Sequence, residues 1–390
     1  MQYDFQIPRK EAFKQISESL ADSPITALLG PRQCGKTWLA RHFASKPENY
    51  FDLQNYVDRV RLEDSSFRIL DGLEGTVVID EAQLKPELFP FLRVLADRPR
   101  NRARFLITGS ASPGIIRGVS ESLAGRVRLL SLGSFTAAEV GWEHWERLWL
   151  VGGMPPSYRR LIAENSFKWR LDYISTFLAR DLPQLVESKL ADEQLRRFFQ
   201  LLAHHHGQYW NHSETARTIG VNYKAVQRYV DLFKGAFLLR ELPPYYENTG
   251  KRLRKAPKLY LRDTGLLHAL LMLRSVQELQ SHPRYGASWE GFCIEHVIRL
   301  TQAHDDECYT WSVQSGPEVD LVLRRPGGVF GFEFKVGDAP RRTPSMTTAV
   351  QDLNLAHLYV VYPGTVDYSI DDRITVVGFQ NLERVTSTLR

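Results

Sequence analysis

Cysteine is scarce in this chain, and its scarcity excludes two common architectures. Only Cys34, Cys293 and Cys308 occur in 390 residues. They have neither the paired spacing of a disulfide framework nor that of a zinc site, which points to a reducing, cytoplasmic setting. Long apolar runs are missing as well. None approaches the roughly 20 residues that a membrane helix requires, so no membrane association is expected. The first residues, Met1-Gln2-Tyr3-Asp4-Phe5, lack the basic-then-apolar layout of a signal peptide. Neither sign of charge is in large excess. A net value of +5 permits nucleic acid as a partner without requiring it, so the placement of basic residues has to decide. What is present is the balance of a soluble globular protein, 43% hydrophobic and 24% charged, over a length that predicts two to four domains.

The strongest local pattern is Gly30-Pro31-Arg32-Gln33-Cys34-Gly35-Lys36-Thr37. It follows the apolar run 25–29 and leads into an amphipathic stretch beginning at Trp38, which is the strand, glycine-bounded loop and helix that cradle a nucleotide phosphate. Gly30 and Gly35 allow backbone angles that turn successive N–H groups inward at phosphate oxygens. Lys36 is placed for the β- and γ-phosphates of ATP, Thr37 for a magnesium ion, and the helix N-terminus adds partial positive charge. Residues 30–38 are therefore the expected nucleotide site.

A second strand, 75–79, is unbroken in its apolarity and ends in Asp80-Glu81, as suits a central parallel strand. Asp80 would hold the magnesium shell, and Glu81 would orient or deprotonate the attacking water. An ordinary acidic strand-to-loop junction is the alternative. A third strand, 104–108, offers Thr108, with Ser110 beyond it, as a hydroxyl that senses the γ-phosphate through water. Arg126, in Ser122-Leu123-Ala124-Gly125-Arg126, could reach the γ-phosphate of a neighbouring subunit, or make a surface salt bridge, as could Arg128.

Further on, Asn211-His212-Ser213 caps a short helix, and Gly220-Val221-Asn222 turns the chain into a second helix, 223–233. Ala216, Ile219, Val221, Val226, Val230 and Phe233 have the spacing that packs a helix-turn-helix, which leaves Lys224, Gln227 and Arg228 outside. Strands at 238–242 and 258–261 flank a loop with Lys251, Arg252, Arg254 and Lys255. Such a basic wing suits a DNA phosphate backbone, or is simply solvated. The run His204-His205-His206 makes a poor metal set, since adjacent helical residues point apart, and is expected to be solvated or capping.

Near the C-terminus, strands 318–323 and 331–336 flank Pro326-Gly327-Gly328 and should pair antiparallel. Alternation puts Glu318 with Asp320, opposite Val319, Leu321 and Leu323, and groups Glu333 with Lys335. Asp320, Glu333 and Lys335 then form one cluster able to hold magnesium and activate water for phosphodiester attack. A half-buried hairpin alternates polar and apolar residues in any case, so spacing alone leaves both readings open.

Taken together, the phosphate loop, the Ile79-Asp80-Glu81 strand end, Thr108-Gly109-Ser110 and Leu123-Ala124-Gly125-Arg126 resemble the AAA+ superfamily of P-loop ATPases. More narrowly, the chain is similar to prokaryotic ATP-binding proteins in which an AAA+ core precedes a winged helix and a restriction-endonuclease-like domain. The resemblance implies an α/β fold with a five-strand parallel sheet, a helical lid, ATP as nucleotide and a homo-oligomer. It implies divisions at 1–140 (core), 141–190 (lid), 191–262 (winged helix) and 263–390 (nuclease-like). In the family, Gly152-Gly153-Met154-Pro155 lies beside the nucleotide; read alone, it is a turn between helices. Asp320 and Glu333-x-Lys335 resemble the PD-(D/E)xK nuclease motif, with Glu290 matching the glutamate of the preceding helix as a further metal ligand. Glu318 departs from that motif, whose proline falls one step back at Pro317. The expected function is ATP hydrolysis coupled to action on DNA, with a metal-dependent nuclease domain; the alternative is a switch NTPase with an inert nuclease-like fold.

Overall fold

The computed structural model describes residues 7–63, 68–99, 102–110, 122–182, 192–246, 253–314 and 316–390. The fold is α/β. Its first sheet comprises β1 (Ile25–Gly30), β2 (Tyr50–Asp52), β3 (Gly75–Asp80), β4 (Ala103–Ser110) and β5 (Val127–Ser131), all parallel in the order β2-β3-β4-β1-β5. Alternation within these strands divides two cores. Ala27, Leu29, Val77, Ile79, Phe105 and Ile107 meet the helix Leu88–Ala96 on one face. Leu28, Val78 and Leu106 meet Ile16, Leu20, Leu39 and Ala40 on the other, from the helices Lys10–Asp22 and Lys36–Arg41. Covering both faces is what lets these strands be apolar throughout. Parallel pairing also brings the C-terminal ends of β1, β3 and β4 to one edge.

A middle region runs through the helix Ala163–Thr176 and then Asp192–His204, β6 (Gln208–Tyr209), His212–Ile219, Tyr223–Gly235, β7 (Leu239–Leu242) and β8 (Lys258–Leu261). Its small sheet has the order β6-β8-β7. Asn211 accepts from the N–H groups of Ser213 and Glu214, and Asn222 from that of Ala225, so both short helices start on side-chain caps. Ala216, Ile219, Val226, Val230 and Phe233 are buried as their spacing predicts. The middle core also draws Met154, Phe167 and Phe177 from the preceding segment and Leu266 and Leu267 from the helix Thr264–Leu270.

The C-terminal sheet is mixed: β9 (Cys308–Ser312), β10 (Glu318–Arg325), β11 (Gly328–Phe334), β12 (His357–Tyr362), β13 (Tyr368–Asp371) and β14 (Ile374–Gly378), in the order β13-β14-β12-β11-β10-β9. The β10–β11 hairpin is antiparallel as expected and closes at Arg325 and Gly328. It is not half-buried, however. Leu321, Leu323 and Phe332 join a core under the helix Tyr285–Thr301, while Val319 and Val322 join another with Met346 and Val350. A register shift against β9, between Val319 and Val322, separates Val319 from Leu321 and Leu323, whose face it was expected to share. Among the described residues, no helix is long and apolar enough to cross a membrane.

Candidate nucleotide and carboxylate sites

The phosphate loop leaves β1 at Gly30 and enters its helix at Lys36. Gly35 has φ 101°, in the left-handed region, with open space where a Cβ would stand. Lys36 is buried, and its Nζ donates to the carbonyl oxygens of Gly30 (2.9 Å) and Pro31 (2.8 Å). The ammonium is thus held within the loop by its own backbone. Arg32, Gln33 and Thr37 lie partly or fully open around it, and Trp38 is exposed against His42. Cys34 differs from expectation. Its thiol is buried and donates to the Leu132 carbonyl (3.4 Å), so it does not face a nucleotide. A thiol reagent applied to the native protein should leave Cys34 unmodified until the loop opens, which mass spectrometry of the labelled chain would check.

The tips of β3 and β4 assemble beside the loop. Asp80 is buried and accepts from Tyr50 Oη (2.8 Å) and from the Thr108 hydroxyl. Thr108 in turn accepts from the Glu81 N–H (3.3 Å). Thr108 therefore positions both acidic residues. Glu81 adopts φ 57°, a conformation uncommon for a residue with a side chain, and its carboxylate accepts from Gln83. Strand geometry alone would not reveal this kink, which turns Glu81 out of the line of β3. Arg126 lies at the other end of the sheet: its carbonyl accepts from the Ile25 N–H where β1 begins, and its side chain pairs with Asp97 (2.5 Å). It cannot serve this chain's own nucleotide.

The loop is also braced from outside. Arg9 donates to the Cys34 carbonyl (2.9 Å) and pairs with Glu139 (2.7 Å), which Arg299 of the helix Tyr285–Thr301 also approaches (3.5 Å). Tyr173 donates to the Arg32 carbonyl (3.5 Å) from the helix Ala163–Thr176. Gly153 crosses so near Phe135 that a Cβ would fall 2.3 Å from its carbonyl oxygen, and its N–H donates to Asp263 (2.9 Å). Gly152-Gly153 is a close backbone crossing as well as a turn.

In the C-terminal region Asp320 and Glu333 come together as the hairpin register requires. Asp320 Oδ2 accepts from the Phe334 N–H (3.1 Å), and Lys335 pairs with Glu333 (3.0 Å). Burial pushes the Glu333 carboxyl above its usual range, with Asp320 adding to the effect and Lys335 opposing it. Glu290 reaches the same place from its helix. Burial first, and then the charge of Asp320, raise its carboxyl too. Two further residues stand there that the strand pattern at 258–261 did not single out. Lys258 Nζ lies 3.0 Å from Glu290, 3.5 Å from Asp320 and 4.0 Å from Glu318, and Tyr260 donates to Glu290. They are two apart on β8, hence on one face. Among the described residues, no group of three His, Cys, Asp or Glu side chains is spaced to hold a metal ion. As folded, the cluster is arranged about an ammonium and does not fit the magnesium expected of Glu290, Asp320 and Glu333.

Of the basic wing, Arg254 and Lys255 are exposed, whereas Lys251 and Arg252 lie outside the described residues. Its described ends are tied down: the Arg254 N–H donates to the Ser312 carbonyl (3.0 Å), Tyr245 N–H to that of Thr310 (2.7 Å), and Arg254 stacks on Tyr209. His206, expected to be solvated or capping, is fully buried; it accepts from the Leu261 N–H (3.0 Å), and burial lowers it to about 3.

Residues 22–141 match the AAA domain family, while 142–277 and 285–382 match two domains of unknown function, DUF8612 and DUF4143. Among solved structures, a Walker-type ATPase of Pyrococcus abyssi has 17% identity and a TM-score of 0.46, covering 70% of this chain and 100% of that one. The ORC2 protein of Aeropyrum pernix, in its ADP form, has 11% identity and a TM-score of 0.35, covering 71% and 97%. Uncharacterized proteins of Mycobacterium tuberculosis (Rv2008c) and Mycobacterium bovis (Mb2031c) are each 44% identical over 372 residues, 95% of this chain and 83% of theirs. With its AAA domain followed by these two further domains, the chain belongs to the same protein family as the two mycobacterial proteins.

Proposed function

We propose that this protein hydrolyses ATP and couples the reaction to action on DNA. The observation that carries the first half is the convergence of Lys36, Thr37, Asp80, Glu81 and Thr108 at one edge of the parallel sheet. The donor set, a hydroxyl and a carboxylate oxygen, is suitable for magnesium. Thr37 and Asp80 would hold the ion, which when bound neutralises phosphate charge. Lys36 would bind the β- and γ-phosphates, and Glu81 would take the proton of the attacking water. Arg126, remote from its own loop, would serve another copy, which favours a homo-oligomer.

The DNA half rests on the middle region. Helix, strand, two capped helices and a two-stranded hairpin follow in the order of a winged helix, and Lys224, Gln227 and Arg228 are exposed on the second of those capped helices. On this reading the chain divides into an ATPase core at 1–140, a lid at 141–190, a winged helix at 191–262 and a nuclease-like domain at 263–390. DNA should stimulate ATP turnover. The double substitution Lys224→Glu/Arg228→Glu should weaken binding to every sequence alike and reduce the salt slope by about one per residue. If neither single-stranded, duplex nor branched DNA binds or stimulates turnover, the protein is instead a nucleotide switch with an inert nuclease-like domain. The ammonium of Lys258 among the C-terminal carboxylates is the observation favouring that second reading.

A further inference from the structure

We infer that Lys258 is the resident cation of the C-terminal carboxylate cluster and keeps a divalent ion out of it. The inference rests on reading Glu290, Asp320 and Glu333 as a metal-type site. It concerns the residue that decides whether that site can be filled.

Three observations carry it. First, the Lys258 side chain is 5% exposed and its Nζ sits among three carboxylates, at 3.0, 3.5 and 4.0 Å from Glu290, Asp320 and Glu318. Glu318 is half exposed, but Glu290 and Asp320 are largely buried, and two uncompensated carboxylates so close together would repel strongly. One positive charge at their centre relieves that repulsion, as a divalent ion would. Second, Glu333 is only 4% exposed, yet its Oε1 has no hydrogen-bond partner. A buried carboxylate oxygen left unpaired is costly, and it marks a ligand position that the ammonium does not satisfy. Third, Lys258 comes from another part of the chain. It lies on β8 of the middle sheet, paired with Tyr209 and Leu242, and Tyr260 of the same strand donates to Glu290. The cation enters the carboxylate cluster by the packing of one sheet against another, so the middle region controls what the cluster holds.

An ammonium and a divalent ion cannot share this space. Bringing Mn²⁺ or Mg²⁺ between Glu290 and Asp320 puts two positive centres within a few ångströms in a poorly solvated site. Either the lysine withdraws or the metal stays out.

The test uses the full chain without nucleotide and Mn²⁺ as probe, with free Mn²⁺ followed by electron paramagnetic resonance. Lys258→Met removes this ammonium and keeps most of the side-chain length; Lys258→Arg keeps the charge. Lys258→Met is expected to bind one Mn²⁺ at least about tenfold more tightly than the wild type. Lys258→Arg should show no gain, and adding Asp320→Ala to Lys258→Met should abolish it. Thermal unfolding provides a second readout that tolerates a less stable variant: Mn²⁺ should raise the midpoint of Lys258→Met and leave that of the wild type unchanged. If the wild type binds Mn²⁺ as tightly as Lys258→Met through Asp320, the inference about Lys258 is overturned and the metal-site reading stands. If neither protein shows Asp320-dependent binding, both are overturned.

Discussion

Lys36→Ala should lower ATP turnover by about a hundredfold or more, the scale seen when one preorganised donor to transition-state charge is removed. The reason is local. The Lys36 ammonium is buried in the loop and held by two carbonyl oxygens at 2.9 and 2.8 Å, so no rotamer search precedes its meeting with a phosphate. Alanine deletes the charge and leaves the Gly30 and Pro31 carbonyls facing the position where phosphate must sit. Binding should suffer as well as turnover. Glu81→Gln provides the contrast: it preserves the hydrogen-bonding shape accepted from Gln83, so it should retain ATP binding while losing turnover. Phosphate release under excess ATP, with binding of a fluorescent ATP analogue alongside, separates the two. Unimpaired turnover in Lys36→Ala would remove the assignment of ATP hydrolysis to this loop.

What could be read in advance follows a physical division. The phosphate loop, the β3 end at Asp80, the helix cap at Asn211 and the turn at 220–222 are local matters, set by backbone conformation and strand period within a few residues. They appear in the structure where the sequence placed them. The pairing of Asp320 with Glu333 was legible because a short glycine turn fixes the register of a hairpin. Lys258 was not legible. Its strand was expected, but alternation says only that Lys258 and Tyr260 share a face, not that a carboxylate-bearing sheet covers that face. Cys34 failed for a related reason: its place in the loop was plain, while the direction of its side chain depends on Leu132, nearly a hundred residues away. Arg126 was placed by its motif, yet which end of the sheet it occupies follows from the parallel pairing of β5 with β1.

The same long-range packing sets the second large effect, at Glu295. This carboxylate lies buried on the helix Tyr285–Thr301 and accepts from Arg240 of β7 and from Arg262 just beyond β8 (3.1 Å), while Arg240 also reaches Asp305 (2.7 Å). Burial alone would raise the Glu295 carboxyl, but the two guanidiniums outweigh it and hold it down at about 2. A carboxyl kept at about 2 rather than 4.5 contributes roughly 3 kcal/mol near neutral pH. Glu295→Ala forfeits that and strands buried guanidinium charge, so the loss should be about 3–5 kcal/mol. The thermal midpoint of the transition that includes this contact should fall by roughly 5–10 °C. The pH dependence has a definite sign. Because the folded carboxyl is depressed, its contribution is complete above 4.5 and disappears as pH falls toward about 2. The wild type should therefore lose its advantage over Glu295→Ala on acidification, and the two urea midpoints should converge below pH 4. Replacing Arg262 by methionine in the Glu295→Ala background should recover part of the loss, since one stranded charge goes with it. Equal stability of wild type and Glu295→Ala at neutral pH, or a difference that persists at low pH, would show that this buried ion pair does not hold the middle region to the C-terminal helix.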